Sequence, residues 1–145
     1  MMAGLPRPLP LPDRDTAPFW QAAAERRLVF QRCSACRTFR HPIGPLCPAC
    51  RSFDFDWVES SGRGAVYSYT VVRHQTHPAF DVPYTVLLVQ MEEGPRLVAR
   101  LRPDGRPSGR DPVDAGLRIG APVRLEWEDV PGQTLPVFDL EEPSA

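Results

Sequence analysis

All four cysteines of this 145-residue chain lie between positions 33 and 50, arranged as two Cys-x-x-Cys pairs. The first pair is Cys33 and Cys36, and the second is Cys47 and Cys50. A Cys-x-x-Cys turn lets two sulfur atoms converge, and two such turns supply the four thiolates of a tetrahedral zinc site. Four unrelated reduced cysteines would not be expected in two pairs of identical spacing. The pattern therefore predicts one structural zinc ion per chain, held by these four residues.

Other uses of four thiols fit this sequence less well. A catalytic zinc keeps one coordination position open, usually beside three ligands that include His or a carboxylate, whereas four thiolates fill the tetrahedron. A thioredoxin-like role needs one Cys-x-x-Cys at a helix start within a βαβ unit, and no such unit is visible. Iron electron carriers also use four thiolates, but their pairs lie far apart in a dedicated fold. His41 lies between the two pairs and is interpreted as a surface residue or as a residue that packs around the metal ligands without binding the metal.

Composition and charge narrow the class of protein. The formal net charge is -1, which gives no bulk electrostatic reason to bind nucleic acid or an anionic membrane. No apolar run approaches the length of a membrane span, and the first residues lack the basic and apolar regions of a secretory signal. We therefore expect a cytoplasmic protein, in which the cysteines stay reduced and bind metal rather than form disulfides.

The chain before the cysteines divides into an arm and a helix. Proline recurs at every second position near the start, which predicts a flexible, Pro-rich arm over residues 1–15. Residues 16–30 predict a short helix followed by a lead-in strand. Thr16 can cap this helix, Pro18 suits its first turn, and Trp20 falls on its apolar face.

Strand patterns bracket the cysteines and continue beyond them. Residues 28–33 predict a strand that leads into the first pair, and residues 53–59 alternate aromatic and acidic side chains as a strand leaving the second pair would. The metal-binding segment between these strands, a zinc ribbon, is therefore expected over residues 31–57. Segments rich in Val, Tyr, Thr and Leu then predict a small barrel of four or five strands over residues 58–142. Residues 104–120 are expected to form a long surface loop.

The segment that contains the cysteines is predicted to be basic. Four arginines and no acids lie from position 32 to position 53, so four thiolates and one zinc ion leave a net charge of about +2. These arginines are Arg32, Arg37, Arg40 and Arg51. Guanidinium groups bind phosphates and carboxylates in bidentate fashion. Two interpretations stay open, because the arginines either only offset the thiolates or form a site for phosphates or an acidic partner.

The order of these segments resembles the acyl-CoA-associated family known as domain of unknown function thirty-five. The resemblance covers residues 18–128. It rests on PFWQAAAERRLVFQRCSAC before the ribbon, CPACRSFDFDWVESSGRGAVYSYTVV joining ribbon to barrel, and PYTVLLVQMEEGPRLVARL and LRIGAPVRLEWE in the barrel. It implies a mainly β fold with an N-terminal helix, a rubredoxin-like four-Cys zinc ribbon and a C-terminal OB-fold barrel.

The resemblance also implies a function. Members of this family work beside thiolase-like enzymes or hot-dog-fold hydratases that act on CoA thioesters. We therefore expect a non-catalytic accessory subunit that binds a partner such as an aldolase or acyltransferase. It would assist acyl-CoA binding or complex assembly, in lipid or sterol side-chain metabolism. The expected contacts with CoA or the partner are Arg32, Arg37, Arg40 and Arg51 of the ribbon and Phe80 and Tyr84 of the barrel.

Two positions depart from the family's pattern. The family usually places Gly after the second Cys of each pair, where a positive φ is comfortable. Arg37 and Arg51 occupy both positions here. Because a non-Gly residue at positive φ costs about 1 kcal/mol, we expect either strain or a different turn at both sites.

Two other functions have some support in the sequence. His74, His77 and Asp81 lie close together in a loop, but no Ser or Cys nucleophile is visibly paired with them, so they are weak evidence for catalysis. Tyr67 and Tyr69 alternate along one strand and are expected to share a face, either the barrel core or an outer surface able to stack on a nucleobase. Single-stranded nucleic-acid binding is therefore the alternative function, although the balanced charge weighs against it.

Overall fold

A computed structural model describes residues 5–103 and 116–141 of the chain. Within these ranges one helix, α1 (Ala17–Ala24), precedes the strands. The strands are β1 (Val29–Cys33), β2 (Phe39–Arg40), β3 (Phe55–Glu59), β4 (Arg63–Val72), β5 (Tyr84–Met91), β6 (Arg96–Leu101), β7 (Pro122–Val130) and β8 (Gln133–Leu140). The predicted fold class, mainly strand with one N-terminal helix and a C-terminal barrel, is confirmed. No helix in the described ranges is long and apolar enough to cross a membrane.

The strands form two sheets. A small antiparallel sheet in the order β2-β1-β3 carries the cysteine turns, and a closed barrel has the order β4-β5-β6-β8-β7. All barrel pairings are antiparallel except that of β6 with β8. The segment boundaries predicted from the sequence stay predictions, and residues 104–115 of the predicted loop lie outside the described ranges.

The arm before α1 contacts the barrel. Nη1 of Arg7 donates a hydrogen bond to Oε1 of Glu128 at 2.7 Å. The guanidinium carbon of Arg7 also lies 5.1 Å from the centre of the Phe80 ring. These contacts link residues that are far apart in the sequence. The flexibility predicted for residues 1–15 stays a prediction.

The start of α1 is close to that predicted, although its first turn is held differently. Thr16 is the residue at the N-cap, and Pro18 lies in the first turn, as predicted. The Thr16 side chain makes no cap hydrogen bond, however. Instead, Oδ1 of Asp13 accepts hydrogen bonds from the backbone N–H and the hydroxyl of Thr16. These bonds lower the pKa of the Asp13 carboxyl, so the turn before the helix contains a stable carboxylate.

The barrel core follows from strand alternation. In β5, buried and half-buried residues alternate without interruption, and Leu87 and Val89 are fully buried. Phe19 of α1 joins the same cluster, whereas Trp20, predicted for the apolar face, is only partly buried against it. Phe30 of β1 also belongs to this cluster. One continuous core therefore connects the helix, the small sheet and the barrel.

A β-bulge separates two tyrosines that were expected to share a face. The register between β4 and β5 shifts between Val66 and Ser68, which leaves Tyr67 as the extra residue. Tyr67 is consequently 48% exposed, whereas Tyr69 packs against the barrel core. The expectation that they share a face is wrong, because simple alternation fails across a bulge.

Strand β8 is the barrel strand that is not predicted from the sequence patterns. It contains Pro136, and a proline inside a strand argues against assignment to a sheet interior. Here the pairing of β8 with β6 covers only Val137 and Phe138. Much of β8 is therefore an edge on that side, where proline is tolerated.

Gly64 marks the tightest approach of two barrel strands. A Cβ atom at this position would lie 2.5 Å from the carbonyl oxygen of Gln90 and 2.7 Å from Cγ1 of Val89. Gly44, in the ribbon, has open space around the corresponding position.

We predict that Gly64→Ala lowers the free energy of unfolding by about 2 kcal/mol, because backbone atoms must move to admit the methyl group. Gly44→Ala is the matched control and should leave stability unchanged or raise it by about 0.5 kcal/mol, since it reduces the entropy of the unfolded chain. Urea unfolding monitored by circular dichroism measures both values. Equal stability of the two variants would contradict the role of Gly64.

Candidate metal centre

The four cysteine side chains converge on one point. The sulfur atoms of Cys33, Cys36, Cys47 and Cys50 all lie within 4.8 Å of one another. The Sγ atoms of Cys33 and Cys50 are 3.5 Å apart, as are those of Cys36 and Cys47. A zinc ion with Zn–S bonds of about 2.3 Å holds its sulfur ligands about 3.8 Å apart, so the observed spacing fits a tetrahedral metal ion.

The two cysteine turns have the same hydrogen bonds. In the first turn, the N–H of Arg37 donates to the carbonyl of Cys33, and the N–H of Cys33 donates to the carbonyl of Thr38, both at 2.9 Å. The corresponding groups of the second turn, which starts at Cys47, make the same two bonds at the same distance. In each turn the first cysteine is buried and the second is exposed. The pairs are therefore structurally equivalent halves of one site.

The thiols of Cys36 and Cys50 differ in acidity. The hydroxyl of Thr38, whose oxygen lies 3.1 Å from Sγ of Cys36, lowers the pKa of Cys36 to about 6. At Cys50 the N–H of Ser52 lowers the pKa, but hydrogen bonding with the Cys33 thiol and burial act in the opposite direction and raise it to about 12. Cys36 thus ionises before Cys50, and a metal ion must displace the proton of Cys50. Metal binding here releases protons and is favoured as the pH rises.

A buried polar network braces the loop that leads to the second cysteine pair. Oε1 of Gln31 accepts hydrogen bonds from Nε of Arg40 and from the N–H of Gly44, both at 3.0 Å. Nε of Arg40 also lies 3.1 Å from the carbonyl oxygen of Gly44. Gln31 belongs to β1, the strand that ends at Cys33. The network therefore ties the approach to Cys47 to the strand that carries the first pair.

Arg40 is buried, unlike two of the other arginines predicted to contact CoA or a partner. Its side chain is 6% exposed, and its guanidinium lies 4.9 Å from the centre of the Phe55 ring. Arg40 thus belongs to the interior of the ribbon, and its contact with CoA or a partner stays a prediction. Arg32 is half-buried, with its guanidinium 5.8 Å from the Phe39 ring centre. Only Arg37 and Arg51 of the four ribbon arginines are exposed.

His41 contributes an aromatic ring to the interior. Its ring centre lies 5.8 Å from that of Phe19 and 5.5 Å from that of Phe30. Burial lowers the pKa of His41, because the charged imidazolium loses its hydration. The residue is therefore a partly buried, neutral packing group between α1 and β1. Of the two interpretations made from the sequence, a position on the surface is disfavoured by this packing.

The two predicted barrel contacts lie next to each other. The rings of Phe80 and Tyr84 are 6.1 Å apart, and each has a guanidinium over it, Arg7 above Phe80 and Arg100 above Tyr84. Sequence patterns do not single out Arg7 or Arg100. Arg7 lies in the Pro-rich arm, and Arg100 is a polar residue in a strand that could equally carry any other polar side chain. Neither position is therefore marked as a site by its neighbours in the sequence. The return of the arm to the barrel brings them together.

In the described chain, no hydrogen bond or ion pair joins His74, His77 and Asp81 to one another. Nδ1 of His77 accepts a hydrogen bond from the N–H of Ala79 at 3.1 Å, and its ring packs 5.8 Å from that of Phe80. His74 and Asp81 are exposed. The imidazole of His77 thus stabilises the loop.

Both cysteine turns contain an arginine in the left-handed region. The φ angle is 69° at Arg37 and 64° at Arg51, so the expected strain is present at both positions. Both side chains are exposed. We predict that Arg37→Gly raises the free energy of unfolding of the metal-loaded protein by about 0.5 to 1 kcal/mol, because glycine adopts this φ without a steric penalty.

Thermal unfolding in the presence of excess metal measures this effect. Ser34→Gly is the matched control, because Ser34 is an exposed ribbon residue with an ordinary φ, and this change should lower stability. A loss of stability in Arg37→Gly equal to that of the control would contradict strain at this turn.

Comparison with known proteins identifies both parts of the chain. Residues 20–56 match the rubredoxin-like zinc ribbon domain of ChsH2, and residues 57–128 match the C-terminal OB-fold domain of ChsH2. A solved chain from a protein described as Ltp2-ChsH2(DUF35) aldolase is 50% identical, with a TM-score of 0.79. The likeness covers 91% of this chain and 98% of that chain.

Curated relatives fall into two groups. A probable enoyl-CoA hydratase alpha subunit of Thermomonospora curvata is 52% identical over 91% of this chain. The 3-oxo-4,17-pregnadiene-20-carboxyl-CoA hydratase alpha subunit of Mycobacterium tuberculosis is 37% identical over 92%. This chain spans only 39% and 40% of the lengths of these two proteins.

The second group is of similar length to this chain. A DUF35 domain-containing scaffold protein of Methanocaldococcus jannaschii is 32% identical over 82% of this chain and 84% of its own length. The four converging cysteines and the closed five-stranded barrel fit the two matched domains in the same order along the chain. This protein belongs to the DUF35 family, with a ChsH2-type zinc ribbon and OB-fold.

Proposed function

We propose that this protein is a zinc-containing, non-catalytic accessory subunit that binds a thiolase-like enzyme acting on acyl-CoA, with an aldolase as the partner class. The observation that carries this proposal is the likeness to the Ltp2-ChsH2(DUF35) aldolase chain, which extends over 98% of that chain. The likeness includes both the ribbon and the barrel. The whole module, rather than one half of it, is thus available for the same role.

Zinc is the metal that the four thiols favour. Thiolate sulfur selects zinc over magnesium or calcium, and the sulfur positions suit tetrahedral coordination. Cys33, Cys36, Cys47 and Cys50 would hold the ion. With four thiolates bound, zinc supplies a cross-link between the two turns and has no free position to activate water. The metal thus shapes the surface of the subunit and takes no part in chemistry.

An accessory role is supported by the barrel loops. In the described chain, no Ser hydroxyl is hydrogen-bonded to a histidine, and His77 is engaged by the backbone of its own loop. The hydroxyls of Ser34, Ser60 and Ser61 donate to carboxylates, with no imidazole beside them to form a nucleophile–His pair. Substrates of the partner are proposed to be CoA thioesters, since the related hydratase subunits are named for such compounds, one of them a steroid. A role in sterol side-chain metabolism follows as the specific form of the proposal.

The surface that meets CoA or the partner remains part of the proposal. Arg37 and Arg51 offer exposed guanidinium groups beside the metal centre, and Arg32 adds a half-buried one. Phe80 and Tyr84 offer half-buried aromatic rings on the barrel. Such rings and arginines are the residue types that dominate protein interfaces.

Single-stranded nucleic-acid binding is a second candidate function because of one contact. The guanidinium of Arg96 lies 3.7 Å from the centre of the exposed Tyr67 ring, on the outside of the barrel. Aromatic rings and arginines on an OB-fold surface are used to stack bases. Titration with a labelled oligothymidylate tests this candidate, which requires binding that weakens as salt rises.

We predict that the purified protein contains one zinc ion per chain, measured by elemental analysis after expression in metal-replete medium. Cys47→Ser should lose the metal and lower the free energy of unfolding by about 3 kcal/mol or more, because metal binding contributes directly to folding. Ala49→Ser, in the same turn, introduces the same hydroxyl and should retain the metal. A wild-type zinc content below half an equivalent would count against the site.

We also predict that the chain forms a stable complex with an Ltp2-type aldolase, with a dissociation constant below about 10 μM. Gel filtration of the co-expressed proteins and titration calorimetry measure the complex. The isolated chain should show no turnover of CoA thioesters, and His77→Ala should not change the activity of the complex. Turnover by the chain alone would overturn the accessory role, and absence of any complex would overturn the proposed function.

A further inference from the structure

The barrel has a basic side and an acidic side. Strands β4, β5 and β6 contain three arginines and no Asp or Glu. Strand β7 contains three acids and one arginine, and β8 contains one acid. Although the net charge of the chain is only -1, the charges on the barrel strands are unevenly distributed between its two sides. The charged side chains that strands β4, β5 and β6 offer to an approaching partner are therefore all positive.

Outward residues of these strands form one surface. Leu88 of β5 pairs with Ser68 of β4 on one side and with Val98 of β6 on the other. Val98 is 65% exposed, although its neighbour Leu97 is buried in the core. We define the β4–β6 face by six residues, which are Tyr67, Tyr84, Leu88, Arg96, Val98 and Arg100.

Two arginines of the β4–β6 face are held in place by aromatic rings. Arg96 lies over the Tyr67 ring, and its Nε donates a hydrogen bond to Oε1 of Gln90 at 3.0 Å. Arg100 lies over the Tyr84 ring, with its guanidinium carbon 5.0 Å from the ring centre. Stacking of this kind leaves the outer N–H groups free to donate and reduces the entropy lost when a carboxylate binds.

Neither of these arginines has a carboxylate partner in the part of the chain that the structure describes. No ion pair joins Arg96 or Arg100 to an acid in these ranges, and Nε of Arg100 is buried without a hydrogen-bond partner. Burial lowers the pKa of Arg100, and the nearby Glu128 carboxylate acts in the opposite direction. Oε1 of Glu128 is bound by Arg7, whereas its Oε2 is buried without a hydrogen-bond partner among the described residues. The β4–β6 face thus presents unpaired guanidinium groups beside an exposed apolar centre.

We propose that the β4–β6 face docks an acidic segment of the partner enzyme that carries an apolar side chain between two carboxylates. Arg96 and Arg100 are four residues apart on one strand, which separates them by about 13 Å, and Val98 lies midway. The carboxylates of the partner would bind the two arginines, and its apolar side chain would cover Val98 and Leu88. This inference rests on the proposed function and places the interface on the barrel rather than the ribbon.

The same arrangement disfavours a nucleic acid as the occupant. Proteins that bind single strands without sequence preference use a continuous basic groove that follows the phosphate backbone. On the β4–β6 face the arginines are separated by Val98, and Leu88 lies beside it. Charge complementarity combined with an apolar centre fits a protein surface, in which charged residues surround a hydrophobic core.

Charge reversal tests the proposal with purified Ltp2 protein as the probe. The double variant Arg96→Glu/Arg100→Glu should weaken binding at least about 10-fold, and Val98→Ser should weaken it about threefold, in titration calorimetry. Arg118→Glu/Arg124→Glu reverses the same number of charges at two exposed arginines outside these strands and should change affinity less than about twofold. Circular dichroism checks that each variant is folded. Because Arg100 is half-buried, Arg96→Glu alone provides a second charge variant.

The outcomes separate the interface from the function. If the wild-type chain binds Ltp2 and the β4–β6 variants bind as tightly, the docking face is wrong and the accessory function stands. If the wild-type chain does not bind Ltp2, both the function and the face are overturned. Binding of oligothymidylate that is lost in Arg96→Glu would assign the face to nucleic acid and would also overturn the proposal.

Discussion

Convergence of four sulfur atoms within 4.8 Å is the constraint on which the ribbon depends. Between Ser34 and Asp54 most side chains are exposed, and this segment buries little apolar surface of its own. Segments of this size usually need a metal or disulfides to hold a fixed structure. Four thiolates also repel one another unless a cation lies between them. A bound metal ion would therefore do for the ribbon what hydrophobic burial does for the barrel.

The ribbon is joined to the barrel through β1. This strand ends at Cys33, and its Phe30 belongs to the same buried cluster as Val66 and Leu87 of the barrel. The N–H of Ser60, after β3, donates to the carbonyl of Leu28, which closes the connection on the other side. A shift of the metal centre would thus disturb barrel packing.

The distribution of arginine separates structural cations from accessible ones. Arg40 is used inside the ribbon, where it bonds to Gln31 and Gly44, and Arg32 is stacked on Phe39. On the barrel, Arg96 lies over the Tyr67 ring and is exposed, and Arg100 lies over the Tyr84 ring and is half-buried. Arginine serves both purposes because its planar guanidinium is weakly hydrated and stays charged when stacked or partly buried. The accessible positive surface consequently lies on the barrel as much as on the ribbon.

Local sequence patterns are sufficient for several features of this protein. Two Cys-x-x-Cys pairs predict two similar turns, and the richness of residues 84–91 in Val, Tyr, Thr and Leu predicts a strand, because both patterns act over a few neighbouring residues. Which face of that strand is buried is decided only by the barrel. Pro18 similarly indicates the first turn of α1. At Arg37 and Arg51 the sequence left either strain or a different turn open, and the structure shows a positive φ at both.

Long-range contacts account for what the patterns miss. Tyr67 and Tyr69 lie on different faces because β4 has a bulge between Val66 and Ser68 where it pairs with β5. Strand β8 is not predicted from the sequence because it contains Pro136, which is tolerated only because most of β8 is unpaired on the β6 side. The sequence suggests that Arg40 is a surface cation, whereas in the structure it is buried and donates a hydrogen bond to Gln31, nine residues away. Arg7 joins Glu128 only when the arm returns to the barrel. Burial and pairing of this kind depend on residues distant in sequence, so no local pattern records them.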